Sequence, residues 1–262
     1  MLLAIDIGNT HTVYGIYDGI TLRADWRVTS FVHRTEDEVG SCLRQFLRDA
    51  GLDFASVTEI GISSVVPNLT DTYVSMARKY FKLVPTVIDS SLDLGIAIHY
   101  KDPTAVGADR ICNAVAGFAK YGGPLIVIDF GTATTYDLVA RNGDYLGGVI
   151  APGVETSAAD LHRRAAKLPK VEFHFPEEII ARDTVSSMQA GILYGAIDSM
   201  EGMIARLQEE MTRREGTVAR VIATGGFSSF LAEHSKIIDR CEPSLVLEGI
   251  RLICEMQKQK PA

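Results

Sequence analysis

Two apolar segments of the sequence each end in an acidic residue followed by glycine and small polar side chains. The first, LLAIDIGNTHTV, carries Asp6 and Gly8, and the second, PLIVIDFGTATT, carries Asp129, Gly131 and Thr132. Glycine lets a ligand approach the backbone closely, and exposed amides beside hydroxyls can bind phosphate oxygens. A carboxylate repels phosphate, but it suits a cation that bridges to phosphate. One such loop could be only a tight turn, whereas two predict a nucleotide triphosphate held between similar halves.

The loops are not of the Walker type, because the sequence has no GxxxxGK[ST] and neither loop contains a lysine. Phosphate charge must then be offset by backbone amides, hydroxyls, a metal ion and an arginine. A third glycine signal, ATGGF, places Gly225 and Gly226 between a predicted strand and a predicted helix. Such turns are common, but here the two glycines leave room for a nucleoside or a close phosphate.

The segment HYKDPTAVGADR places Asp109 and Arg110 side by side at the start of a predicted helix. An acidic residue there can be only a cap, and the arginine only a solvated helix end. The functional alternative is that Asp109 accepts a proton from a substrate hydroxyl, while Arg110 holds an anionic group or the transferring phosphoryl. The histidines are not at metal-ligand spacing, and no GxSxG nucleophile elbow is present.

The elements that must position these residues alternate between strand and helix along the chain. A hairpin over residues 2–28 is predicted with Asp18-Gly19 as its turn, followed by a helix that Thr35 and Glu38 begin as a capping box. After Pro124 a similar hairpin recurs, which predicts an internal duplication and two mainly parallel or mixed α/β sheets. Helices are further expected over about 184–211 and 245–258, and a frayed tail in the Lys-rich end, 258–262.

Composition excludes several classes of protein. A net charge of −7 and a pI near 5.4 argue against binding nucleic acid through bulk charge. The four cysteines form no CxxC pair, so neither structural zinc nor a disulfide framework is expected. We see neither a signal-like start nor an apolar run of membrane-spanning length. The expectation is a reduced cytoplasmic protein that binds no membrane.

Several motifs together resemble one family, the type III pantothenate kinases. They are AIDIGNT, HYKDPTAVGADR, VIDFGTATTYDLV, GGVIAPG and DTVSSMQAGILYG, and they occur in that family's order across most of the chain. The resemblance implies the actin-like and sugar-kinase superfamily fold, an α/β fold with two duplicated domains, 1–117 and 118–262, around a nucleotide cleft. It also implies ATP-dependent phosphorylation of pantothenate to 4′-phosphopantothenate, the first step of coenzyme A biosynthesis.

The resemblance also implies roles for individual residues. The first phosphate loop would comprise Asp6, Ile7, Gly8, Asn9, Thr10, His11, Thr12 and Val13, with Thr132 as a further ATP contact. Asp109 would be the general base, and Asp129 would help to hold a monovalent cation, K⁺ or NH₄⁺. The pantothenate site would be lined by Tyr100, Gly107, Ala108, Asp109, Arg110 and Thr184. Because a bare carboxylate would repel the triphosphate, Asp6 is expected to act through hydrated Mg²⁺.

Family members resembling this chain work as homodimers, and the long helix after Thr184 is the expected interface. Two other functions are also compatible with the sequence. One is an ATPase or polyphosphate phosphatase of the same fold, and the other is a nucleotide-binding accessory factor for transcription. The net negative charge and the absence of a basic helix in the sequence disfavour direct binding to DNA.

Overall fold

The computed structural model of the chain describes residues 1–258. Apart from Lys258, the predicted Lys-rich tail lies outside the described residues. The strands are β1 (Leu2–Ile7), β2 (His11–Asp18), β3 (Thr21–Thr29), β4 (Glu59–Ser64), β5 (Thr86–Val87), β6 (Leu125–Phe130), β7 (Ala133–Val139), β8 (Tyr145–Pro152), β9 (Arg220–Thr224) and β10 (Arg240–Cys241). The helices are α1 (Glu36–Asp49), α2 (Pro67–Met76), α3 (Ala108–Tyr121), α4 (Val154–Arg164), α5 (Thr184–Glu215), α6 (Ser228–Ala232) and α7 (Leu245–Lys258).

Residues 1–258 form two five-stranded mixed sheets with the same strand order. The first sheet runs β3-β2-β1-β4-β5, and the second runs β8-β7-β6-β9-β10. In the first, β1 is antiparallel to β2 and parallel to β4; in the second, β6 is antiparallel to β7 and parallel to β9. The predicted duplication and the α/β class are therefore confirmed.

Local chemistry explains the boundaries that the sequence predicts well. Gly19 occupies the left-handed region at φ 60° in the β2–β3 turn. The Thr35 side chain accepts a hydrogen bond from the Glu38 amide, and the Glu38 carboxylate accepts one from the Thr35 amide, so the capping box is confirmed. Gly51, at φ 72°, follows the end of α1. All four cysteines carry free thiols, as expected.

The chain divides into two compact units, one of residues 1–119 with the C-terminal helix from Leu245, and one of Lys120–Ser244. Each has its own apolar core, formed by the inner face of its sheet and the helices packed on it. Within the described part of the chain, no helix is long and apolar enough to cross a membrane.

The position of α7 differs from the predicted domains, 1–117 and 118–262. The division falls close to the predicted boundary, but α7 belongs to the first unit. A Cβ placed at Gly61 of β4 would lie 2.6 Å from Ile250 Cγ2, so α7 packs directly on the first sheet. Ile250 and Ile253 are both fully buried. The apolar spacing of α7 predicts an amphipathic helix, but it does not say which of two similar sheets the helix covers.

Candidate functional site

The first acidic loop connects β1 to β2. Asp6 lies at the end of β1, opposite Val13 of β2 and Ser63 of β4. The Ser63 hydroxyl donates a hydrogen bond of 2.9 Å to Asp6 Oδ1, which fixes the carboxylate at the edge of the loop.

The glycine of this loop is needed for space. The Gly8 amide donates to the His11 carbonyl at 3.0 Å, and a Cβ on Gly8 would lie 3.0 Å from that same oxygen. The Gly8 amide is therefore already hydrogen-bonded within the loop. Asn9, at the tip, is exposed, whereas Thr12 is only 1% exposed and its hydroxyl bonds Ser30 Oγ at 2.9 Å.

Asp109 lies in the first turn of α3. The helix begins with a hydrogen bond of 3.1 Å from the Ile111 amide to the Gly107 carbonyl. The Arg110 amide donates to Asp109 Oδ1 at 2.8 Å. A Cβ on Gly107 would lie 2.5 Å from that carboxylate oxygen, so glycine leaves the carboxylate its space.

Burial raises the pKa of the Asp109 carboxyl, and the amide and charge of Arg110 oppose the shift. A carboxyl with a raised pKa is a stronger base once it is ionised. Arg110 is 6% exposed, so its interpretation as a solvated helix end is wrong. A buried guanidinium instead suits recognition of an anion.

Asp6 and Asp109 lie around the same buried thiol. Burial raises the pKa of Cys112 well above its usual value, and the nearby negative charges of Asp6 and Asp109 raise it further. The first unit therefore brings the phosphate-loop carboxylate and the candidate base into one region. Tyr100, 38% exposed, lies in the segment before α3.

The second acidic loop connects β6 to β7 in the second unit. Asp129 on β6 lies opposite Thr135 of β7 and Thr224 of β9. The Gly131 amide donates to the Ala133 carbonyl at 3.1 Å, much as Gly8 does in the first loop. The Thr132 carbonyl accepts the Thr156 hydroxyl at 2.6 Å and the Gly153 amide at 3.2 Å. The loop is thus held from its carbonyl side by the start of α4.

The Gly225-Gly226 turn, the third glycine motif of the sequence, lies next to Asp129. Gly225 has φ +88°, and a Cβ built on it would lie within 2.4 Å of Asp129 Oδ1. Its carbonyl accepts the Ser228 hydroxyl at 2.7 Å, which fixes the turn before α6. Asp129, Thr132 and the Gly225-Gly226 turn therefore belong to one region of the second unit. Thr184 is in that unit too, as the first residue of α5, which the Asp183 carboxylate caps through the Ser186 amide at 3.0 Å.

Four supporting residues were not predicted from the sequence. Ser63 holds Asp6, Ser30 holds the first loop, and Gly153 and Thr156 hold the second. Ser63 and Thr156 lie far in sequence from the groups they bond. Gly153 ends the GGVIAPG motif, whereas the other three stand in no motif. Strand pairing brings Ser63 beside Asp6, and this register is not readable from either segment alone.

Comparison with known proteins identifies the family. The sequence model described as "Type III pantothenate kinase" matches residues 2–206. A curated type III pantothenate kinase of Anaeromyxobacter sp. strain Fw109-5 is 45% identical over 98% of this chain and 100% of that protein. One from Bacillus cytotoxicus is 45% identical over 97% of this chain and 96% of that protein.

Solved structures agree on the fold at much lower identity. A conserved putative Baf family transcriptional activator from Campylobacter jejuni matches with a TM-score of 0.61 at 17% identity, over 98% of this chain and 100% of that chain. Component A of the Acidaminococcus fermentans (R)-2-hydroxyglutaryl-CoA dehydratase matches with a TM-score of 0.54 at 15% identity, over 95% and 94%. At such identities the likeness shows the fold alone, and this fold of two α/β domains is the expected actin-like and sugar-kinase fold.

The ordered motifs, the duplicated sheets and the curated relatives agree with one another. The chain therefore belongs to the type III pantothenate kinase family and transfers phosphate from ATP to pantothenate in coenzyme A biosynthesis.

Proposed function

We propose that Asp109 is the general base of this reaction. It accepts the proton of the primary hydroxyl of pantothenate while the γ-phosphoryl passes in line from ATP to that oxygen. The observation that carries this proposal is the buried carboxyl at the start of α3, whose pKa is raised by burial. A carboxylate in that environment gains more by taking up a proton than one in water does.

Arg110 serves as the anchor of the carboxylate of pantothenate. Its guanidinium lies on the same first turn as Asp109 and is withdrawn from solvent, where a charge-assisted pair is stronger than at the surface. Tyr100, Gly107, Ala108 and Thr184 complete the pantothenate site in this proposal. With the carboxylate held at Arg110, the hydroxyl end of the substrate is presented to its neighbour Asp109.

The two acidic loops bind the triphosphate. Asp6 to Val13 provide the first loop and Thr132 the main contact of the second, while Gly225 and Gly226 leave space for the nucleoside. Bound cations supply the positive charge that no lysine of either loop provides. Asp6 fits hydrated Mg²⁺, because its carboxylate is oriented by Ser63. Asp129 helps to hold a monovalent cation, K⁺ or NH₄⁺, in this proposal, because its carboxylate lies next to the Gly225 turn of the second unit and carboxylate oxygens are suitable ligands for hard cations.

A homodimer is part of the same proposal, with the start of α5 in the interface. Val185, in the first turn of α5, is 41% exposed, and the preceding Ile179 and Ile180 are 66% and 80% exposed. Apolar side chains grouped in this way lose contact with water when two subunits associate.

The test of the general base is the Asp109→Asn variant. We expect kcat to fall by about 10²–10⁴-fold, the usual contribution of general-base catalysis, while ATP binding is retained. ADP release with ATP, Mg²⁺, K⁺ and pantothenate measures turnover, and calorimetric titration measures ATP affinity. Asp102→Asn is the matched control, because Asp102 is exposed and only caps a short 3-10 turn through the Thr104 amide. An Asp109→Asn turnover within a few-fold of the wild type would remove Asp109 from this role.

A further inference from the structure

Ser30 holds the first phosphate loop from two sides. Ser30 follows the last residue of β3, and its amide donates to the Thr10 carbonyl at 2.9 Å. Its hydroxyl donates to the Gly8 carbonyl at 2.7 Å. One half-buried residue therefore fixes the Gly8–Asn9 and Thr10–His11 peptide groups, which flank Asn9 and Thr10.

Thr12 completes this contact. A hydroxyl has one proton to donate, and a carbonyl can only accept, so Ser30 Oγ gives its proton to Gly8. The 2.9 Å contact between Thr12 Oγ1 and Ser30 Oγ is then a hydrogen bond from Thr12 to Ser30. The Thr12 side chain is itself buried, being 1% exposed. The loop is thus tied through Ser30 to a buried hydroxyl of the first unit.

This arrangement sets the direction of the loop amides. In a trans peptide, the carbonyl of one residue and the amide of the next point in opposite directions. Holding the Gly8 and Thr10 carbonyls towards Ser30 therefore turns the amides of Asn9 and His11 away from it. Since the Gly8 amide is already bonded to the His11 carbonyl, the outward amides are those that remain for an anion.

We propose that Ser30 is a positioning residue for phosphoryl transfer, which acts through the Gly8 and Thr10 carbonyls to aim the loop amides at the phosphates of ATP. Thr12 acts in the same way, as the donor that orients the Ser30 hydroxyl, and not as a direct phosphate contact. This inference rests on the proposed function of residues 6–13 as a phosphate loop. It adds a residue outside that loop to the machinery of ATP binding.

The test compares Ser30→Ala with Ser30→Thr. The alanine variant loses the hydroxyl bonds to Gly8 and Thr12 and keeps the amide bond to Thr10. A lost hydrogen bond to a partly buried carbonyl corresponds to about a 5- to 30-fold weaker Kd for ATP. We expect KM for pantothenate to stay within twofold and the threonine variant to recover most of the affinity. Ser41→Ala, on the exposed side of α1, is the matched control and should bind ATP normally.

Other outcomes overturn the inference in distinguishable ways. Unchanged ATP affinity in Ser30→Ala, with affinity reduced in Asp6→Asn, would reject Ser30 and keep the phosphate loop. Unchanged affinity in both variants would reject the loop itself. An equal change for ATP and pantothenate, with a lower Tm, would make Ser30 a purely structural residue. If Ser30→Ala does not fold, Thr12→Val replaces it, and unchanged ATP affinity in that nearly isosteric variant would also overturn the inference.

Discussion

The ionised Asp109 carboxylate should lower the free energy of unfolding by a measurable amount. Its folded-state pKa is raised by burial, so the folded chain favours the protonated carboxyl more than the unfolded chain does. The stabilising contribution is full below the unfolded pKa of about 3.9 and is lost as the pH rises through the folded value. At neutral pH the ionised, buried carboxylate therefore destabilises the protein.

Asp109→Asn should accordingly be more stable than the wild type at pH 7 and less active. The gain in Tm should shrink as the pH falls through the raised pKa of Asp109, because the protonated carboxyl is neutral like the asparagine amide. The acid limb of kcat in the wild type should lie above the range of an ordinary aspartate. Thermal unfolding at several pH values measures the first two effects. An asparagine variant less stable than the wild type at pH 7 would show that the opposing charge of Arg110 outweighs burial.

We expect Asp129 to make activity depend on the identity of the monovalent cation. Replacing K⁺ by Na⁺ at equal ionic strength should raise KM for ATP or lower kcat. The reason is that the Asp129 carboxylate, beside the Gly225 turn, is proposed to help hold the larger ion against phosphate. Choline chloride controls for ionic strength, and initial rates over a range of ATP concentrations measure the effect. Equal rates in K⁺, Na⁺ and choline would contradict the cation assignment.

At the scale of elements, the contact between α3 and α7 allows no side chain at Gly249. A Cβ there would lie 2.2 Å from the Cys112 carbonyl oxygen and 2.6 Å from its Cα, and backbone atoms cannot rotate out of the way. Gly249→Ala should therefore separate the two helices and destabilise the protein by about 1–3 kcal/mol. Because α3 begins at the Asp109 turn, kcat should fall as well.

Gly202→Ala on α5 is the matched control for this substitution. Nothing lies within 4 Å of its added Cβ, and Gly202 is an exposed interior residue of the helix. Replacing such a glycine should stabilise the protein by about 0.5–1 kcal/mol. Urea unfolding measures both variants. Equal stability changes of the two variants would mean that α3 and α7 are not in close contact.

Most turns and helix ends could be predicted from the sequence, but the long-range contacts between strands could not. The Asp18-Gly19 turn, the Thr35 capping box and Gly51 act within a few residues, so the sequence specifies them directly. Ser63 beside Asp6 depends on parallel pairing of β1 with β4, which no local pattern encodes. The contact of Ser30 with Gly8 depends on the register of the β2–β3 hairpin, which the turn residues alone do not give. The sequence therefore predicts the candidate loops and the candidate base, but not the side chains that support them.

At the scale of the whole molecule, the duplicated halves are not two continuous segments. The chain leaves the first unit after Ala119 and returns to it at Leu245, so the first unit is built from two segments that are distant in the sequence. α7 packs on β4, the neighbour of β1, so it covers part of the sheet whose β1 strand leads into the Asp6 loop. The predicted boundary between residues 117 and 118 assigns α7 to the second domain, because α7 follows that domain directly in the sequence.

The oligomeric state is a property of the whole molecule, and the mass of the protein in solution tests it. One chain has a mass of 28.5 kDa, and light scattering of the wild type should give twice that value if α5 forms the proposed interface. Val185→Glu places a charge in the first turn of α5, where an acidic residue does not disturb the helix but is costly to bury between subunits. Its mass should fall to that of one chain at low micromolar concentration.

Val84→Glu provides the matched control for the interface, because Val84 is 77% exposed and lies in the first unit. Its mass should remain that of the wild type. A single-chain mass for the wild type would contradict the homodimer altogether. A dimeric Val185→Glu would instead keep the assembly and move its interface away from the start of α5, because a buried, unpaired carboxylate at that position would be too costly for the dimer to persist.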